Sequence, residues 1–183
     1  MEKIAILGWG SLLWDERAEF DGWHEPWQDD GPSLKIEFSR ISKFRLGALT
    51  LVIDPDNGSP TTVAYCLSCR SEIGQIIEDL RNREGARKND IGYFQRGGTG
   101  HFRDRSTFEV IAAWATSKAL DGVVWTDLLS NFAKETGKSF SVENALDYLV
   151  GLEGEAKAKA EQYLKLAPEF VQTPLRKAWS SQS

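Results

Sequence analysis

Cysteine and histidine are both scarce in this chain of 183 residues, which has two of each. Two cysteines rule out a disulfide scaffold as the source of stability. Cys66-x-x-Cys69 also falls short of the four ligands of a structural zinc site, with only His24 and His101 to supplement it. The pair reads as core or strand-end residues, and no metal is expected. Histidines in an aromatic-rich and a glycine-rich segment make a Ser/His/Asp triad hard to build, and no Gly-x-Ser-x-Gly elbow occurs. No uncharged apolar run approaches the ~20 residues of a membrane span. Lys3-Ile4-Ala5-Ile6-Leu7 is too short for a signal peptide and stops at Gly8, so the cytoplasm is the default location. Positive charge is in deficit: the net charge of −5 argues against nucleic acid, whose phosphates need a concentrated basic surface. There is no internal repeat, low-complexity tract or linker.

What the chain does have is a composition suited to one globular domain, 41% hydrophobic and 27% charged. Lys3–Leu7 reads as a short buried strand running into a glycine-punctuated turn, Gly8–Trp14. Residues 15–33 form an irregular segment with aromatic anchors. Leu34–Ser39, Ala48–Ile53 and Thr62–Leu67 have strand character. The turn sequence Asp54-Pro55-Asp56-Asn57-Gly58 predicts that the last two pair as a hairpin. Ile73, Ile76, Ile77 and Leu80 predict a helix over Glu72–Arg83, capped by Ser71 and stopped by Gly85. Residues 95–105 read as a flexible loop and Phe108–Ala115 as a strand. Asp127–Glu135, Val142–Leu149 and Glu155–Leu166 have helical spacing. This order predicts an α+β fold, with residues 127–183 a mainly helical extension packed on the single domain.

Two motifs carry chemistry. In Gly8-Trp9-Gly10-Ser11-Leu12, a strand running into Gly-x-Gly lets main-chain N–H groups converge on an anion. Its bland reading is a tight turn needing positive φ. Leu13 stands where a dinucleotide fingerprint needs its third glycine, and no Gly-Lys-Ser/Thr follows, so neither nucleotide motif is present. The second motif is Arg83-Glu84-Gly85 with Gly92-Tyr93 beyond it. A carboxylate at a helix C-terminus opposes the macrodipole. Its bland reading is a solvated glutamate paired with Arg83 or Arg87. The basic residues Arg81, Arg83, Arg87, Lys88, Arg96, Arg103 and Arg105 read either as a solvated patch or as a site for a substrate carboxylate.

Taken together, these motifs resemble the γ-glutamyl cyclotransferase superfamily, and most of all its ChaC-like branch. The loop Gly8-Trp9-Gly10-Ser11-Leu12-Leu13-Trp14 is similar to the family's glycine–tyrosine–glycine–serine–leucine loop, and Arg83-Glu84 with Gly92-Tyr93 to the arginine–glutamate pair that carries its catalytic glutamate shortly before a glycine–tyrosine. Phe38-Ser39-Arg40, Leu49-Thr50-Leu51-Val52, Val63-Ala64-Tyr65 and Asn144-Ala145-Leu146-Asp147-Tyr148-Leu149 resemble further family segments in order, with Arg40 a structural residue. Trp9 departs from the family's tyrosine, and the stretch 85–92 is longer than in compact members.

The resemblance implies a γ-glutamyl cyclotransferase-like fold, a small mixed β-barrel or sheet with flanking helices. It implies Glu84 as catalytic acid and base, and Gly8, Trp9, Gly10, Ser11, Leu12 and Tyr93 as substrate-binding residues. The substrate would be a small γ-glutamyl compound such as glutathione, released as 5-oxoproline and an amine by a monomer or homodimer without a cofactor. The loop Arg96–Gly100 would close over it, and burial would hold the Glu84 pKa above its ordinary value. The competing expectation is a non-catalytic module binding an amino-acid-like ligand on the same scaffold.

Overall fold

Ile4, Ala5, Ile6 and Leu7 are all buried, as in a strand covered on both faces. In the computed structural model, which describes residues 2–181, they belong to β1 (Ile4–Gly8). After it come α1 (Ala18–Asp21), β2 (Ser33–Ser42), β3 (Ala48–Ile53), β4 (Ser59–Thr62), β5 (Ala64–Leu67) and α2 (Ile73–Glu84). They are followed by β6 (Ile91–Gln95), β7 (Thr99–His101), α3 (Arg105–Ser117), β8 (Gly122–Thr126), α4 (Phe132–Thr136), α5 (Val142–Val150), α6 (Gly154–Leu166) and α7 (Pro174–Ser180). The fold is α+β, in two compact units. One comprises the residues up to Leu34 with Thr62–Leu128, the other Lys35–Thr61 with the residues from Leu129 on.

The first unit holds a five-stranded sheet in the order β5-β1-β8-β6-β7. β1 runs parallel to β8, Ala5 opposite Val123, while the other pairs are antiparallel. Alternation then assigns faces. Ile4, Ile6, Cys66, Ile91 and Val124 cluster with Ile76, Ile77 and Leu80, the apolar stripe of α2. Residues of the opposite parity face α3: Phe94 meets the Phe108 ring at 5.9 Å and Tyr65 meets Trp114 at 4.9 Å. Cys66 is a buried residue of this core and Cys69 is exposed, the strand-end reading of the pair.

The second unit holds the order β3-β2-β4. Opposite Val52 and Thr50 stand Glu37 and Arg40, so β2 carries a bulge between them. α6 lies on β3, and Phe38 meets Tyr163 edge-on at 6.2 Å. The Asn131 side chain bonds both backbone groups of Ile41, and Arg40 donates to the Leu129 carbonyl at 2.7 Å.

Several expectations are corrected. Both sheets are open, so no barrel closes among the described residues. The Asp54–Gly58 turn forms, its Gly58 N–H donating to the Asp54 carbonyl, yet β3 does not pair with the strand that follows. The predicted strand Thr62–Leu67 instead breaks at Val63: β4 joins β2 and β5 joins β1. Phe108–Ala115 is helical, because the Asp104 carboxylate caps α3 by accepting from the Thr107 N–H at 2.7 Å. Glu72, not Ser71, precedes the first turn of α2, with no side-chain cap. Of Asp127–Glu135, only the part from Phe132 is helical. Residues 95–105 hold the turn and second strand of the β6–β7 hairpin, with Gly97 and Gly98 at φ 107° and 90° supplying the turn, before leading into α3.

Candidate functional site

The turn after β1 is a single 3-10 turn, Ser11–Leu13. Its bonds run from the Leu13 N–H to Gly10 O and from the Trp14 and Asp15 N–H groups to Ser11 O. A turn of this kind does not use its first N–H groups, here those of Ser11 and Leu12. The glycines are not there for positive φ, which corrects the bland reading: Gly10 has φ −124° and Gly8 lies outside the left-handed region. Gly8 is required by close approach. A Cβ there would stand 2.8 Å from the Trp27 ring and 3.1 Å from Leu13.

Glu84 is the last residue of α2. Gly85, at φ 59°, ends the helix in the left-handed conformation, and its N–H and that of Ala86 satisfy Asn82 O and Arg81 O. A carboxylate so placed faces the negative end of the helix, and two arginines supply the compensating charge. Arg83, with its side chain only 2% exposed, donates from Nη2 to Ser11 O at 3.2 Å and to Asp15 O at 2.5 Å. Its Nη1 lies 3.5 Å from Glu84 Oε1. Arg17 reaches back, donating from Nη1 to the Arg83 carbonyl at 3.2 Å and from Nη2 to the Asp15 carboxylate at 3.3 Å. Burial pulls the Arg83 pKa down, and the Glu84 and Asp15 carboxylates oppose it. The Glu84 side chain is about one-fifth exposed, at 21%, while its Oε1, the oxygen facing Arg83, is buried.

Leu12 joins the apolar cluster under α2, and Tyr93 and Trp27 pack against the same cluster. Arg83 thus brings Ser11 and Glu84 together at the C-terminal end of α2, while Leu12 and Tyr93 share the apolar cluster beneath the helix. Trp9 shares the parity of Ala5 and Leu7, is buried, and is not a residue of that cluster. Gly92 is fixed by packing, since a Cβ there would overlap the indole of buried Trp125 at 2.3 Å.

The remaining arginines disperse into separate pairs. Arg81 bonds Glu78, Arg96 bonds the Leu120 carbonyl, and Arg105 faces Glu109. Arg87 and Arg103 both bond Asp90. Burial pushes the Asp90 carboxyl up, but these arginines outweigh it and the net shift is downward. Sequence reasoning missed Asp127, whose buried carboxylate accepts from the Arg103 N–H at 2.7 Å and which burial pushes up in pKa. It also missed Arg17 and Asp15, polar side chains of the segment read only for its aromatics. Among the described residues no three His, Cys, Asp or Glu side chains are grouped to hold a metal, and no helix is long and apolar enough to cross a membrane. No family model, curated protein or solved structure matches the chain.

Proposed function

We propose that this protein is a γ-glutamyl cyclotransferase-type enzyme with a γ-glutamyl cyclotransferase-like fold, and that Glu84 carries its proton chemistry. The observation that carries the reading is the Arg83 guanidinium: it touches the Glu84 carboxylate while bonding the carbonyls of Ser11 and Asp15. One group thus spans the two segments whose sequences resemble the family's loop and catalytic pair.

In the proposed reaction the α-nitrogen of a γ-glutamyl group attacks its own γ-carbonyl carbon. A new C–N bond closes the five-membered ring, the original amide C–N bond breaks, and 5-oxoproline and an amine leave. Glu84 takes a proton from the attacking nitrogen and returns it to the leaving nitrogen. The Ser11 and Leu12 N–H groups orient the substrate carboxylate, and Leu12 and Tyr93 provide an apolar wall. Holding the flexible chain in an attacking geometry is the larger contribution, up to ~7–11 kcal/mol in well-oriented intramolecular reactions.

Incubation with glutathione and a panel of γ-glutamyl amines, read by mass spectrometry for 5-oxoproline, tests this. Turnover of at least one member is expected, and its loss in Glu84→Gln. Full activity in that variant would remove Glu84 from the mechanism. The Arg83–Glu84 ion pair also favours a second reading, a module that binds an amino-acid-like ligand without turnover. Calorimetric binding of a panel member with no 5-oxoproline formed would select it.

A further inference from the structure

We propose that Arg83 is a positioning residue: with Arg17 it forms a reciprocal lock that fixes the Gly10–Asp15 turn against the end of α2 and holds the Glu84 carboxylate beside it. The lock has two directions. From the helix, Arg83 gives both bonds of its Nη2 to the turn, at Ser11 O and Asp15 O. From the turn's far side, Arg17 gives one bond to the Arg83 carbonyl and one to Asp15. The Asp15 carboxylate stands between them, 3.3 Å from Arg17 and 3.8 Å from Arg83.

Two features set this apart from an ordinary surface ion pair. The guanidinium is almost wholly buried, so its attachments are neither screened by salt nor exchanged for water. Ser11 O is also shared: it accepts from Arg83 and from the Trp14 and Asp15 N–H groups that close the turn. Loss of the arginine therefore loosens the very carbonyl around which the turn is wound. A planar fork spans two carbonyls and a carboxylate at once, which a lysine ammonium on a single stem does not.

The lock also sets the charge seen by Glu84. The charged groups around the guanidinium are Glu84 from its own helix, and Asp15, Arg17 and Asp21 from the segment after the turn. A neighbouring cation favours the carboxylate form. Replacing Arg83 by a neutral residue therefore raises the pH at which Glu84 becomes a base. This second half rests on the cyclotransferase reading; the first half does not.

The test measures amide hydrogen exchange at Trp14 and Asp15 and the pH profile of kcat/KM for wild type, Arg83→Gln and Arg83→Lys. In Arg83→Gln the two amides are expected to exchange at least tenfold faster and the acid limb to move to higher pH. Arg83→Lys keeps the cation, so it restores the acid limb while the amides stay fast. Unchanged exchange in Arg83→Gln would overturn the lock, and an unmoved acid limb would overturn its role toward Glu84. If wild type forms no 5-oxoproline from the panel, the functional reading falls and amide exchange alone decides the lock. Should Arg83→Gln not fold, Arg17→Gln, at a half-exposed side chain, removes the return bonds and is expected to speed the same amides. No change there would count against the lock.

Discussion

In the first unit a buried cation, Arg83, donates to carbonyls of a distant turn; in the second a buried carboxylate, Glu37, accepts from backbone N–H groups. Glu37 takes the Phe38 N–H, exposed by the bulge in β2, at 2.7 Å, and the Leu175 N–H in the first turn of α7 at 3.4 Å. Each charge supplies what irregular backbone lacks, donors in one case and acceptors in the other. The difference lies in what stands beside it. Glu37 is itself fully buried, whereas Arg83 lies beside Glu84, whose side chain is about one-fifth exposed. One charge is therefore suited to chemistry and the other to holding a strand and a helix together.

The sharpest way to break this comparison is to neutralise both glutamates. Glu84→Gln is expected to lower 5-oxoproline formation by ~10²–10⁴-fold, the usual range for a lost acid/base, with little change in melting temperature. Glu37→Gln is expected to do the reverse. Turnover lost equally in both would erase the distinction.

Next in size comes Gly92→Ala, which drives a methyl group into the buried Trp125 indole. Overpacking of this kind costs ~1–3 kcal/mol, and a fall in denaturant midpoint would register it. Glu37→Gln, which turns one acceptor into a donor facing an N–H, costs about 1–3 kcal/mol by the same measurement. Burial holds the Glu37 carboxyl above its ordinary 4.5, so the folded chain keeps a proton that the unfolded chain releases. Stability from this group is full below about the ordinary carboxylate range and falls as pH rises through the raised value. Glu37→Gln should flatten that slope. The smallest effect is expected for Gly85→Ala, where space is open and only the left-handed φ of 59° penalises a side chain, by ~1–2 kcal/mol.

The sequence was most legible where a local rule decides the outcome. The α2 stripe, the Gly85 stop, β1, β3, α5 and α6 all follow from spacing or from a single residue. It was least legible where a choice of partner decides. Asp54–Gly58 announces a reversal but not that the next segment divides between two sheets. Phe108–Ala115 is dense in aromatic and branched residues and was read as a strand. Yet Ile111 and Ala115, both buried, stand one helical turn apart, behind the cap at Asp104. β8, Gly-Val-Val-Trp-Thr, is not among the expected strands, although it lies at the centre of its sheet. At the site, Glu84 and the turn were found as motifs. From the sequence Arg83 reads as a counter-ion or as part of a basic cluster, because its reach to Ser11 and Asp15 depends on a helix orientation that no spacing encodes.

The parallel pairing of β1 with β8 has a consequence for how the chain is made. Ile4, Ala5 and Ile6 find Gly122, Val123 and Val124, so the middle of the sheet is joined by segments from distant parts of the chain. At ~5–20 residues per second the leading strand waits on the order of 10 seconds after emerging from the ribosome. During that time β5 and the apolar stripe of α2 can already cover it, while the backbone edge of Ile4–Ile6 that β8 will take stays unpaired.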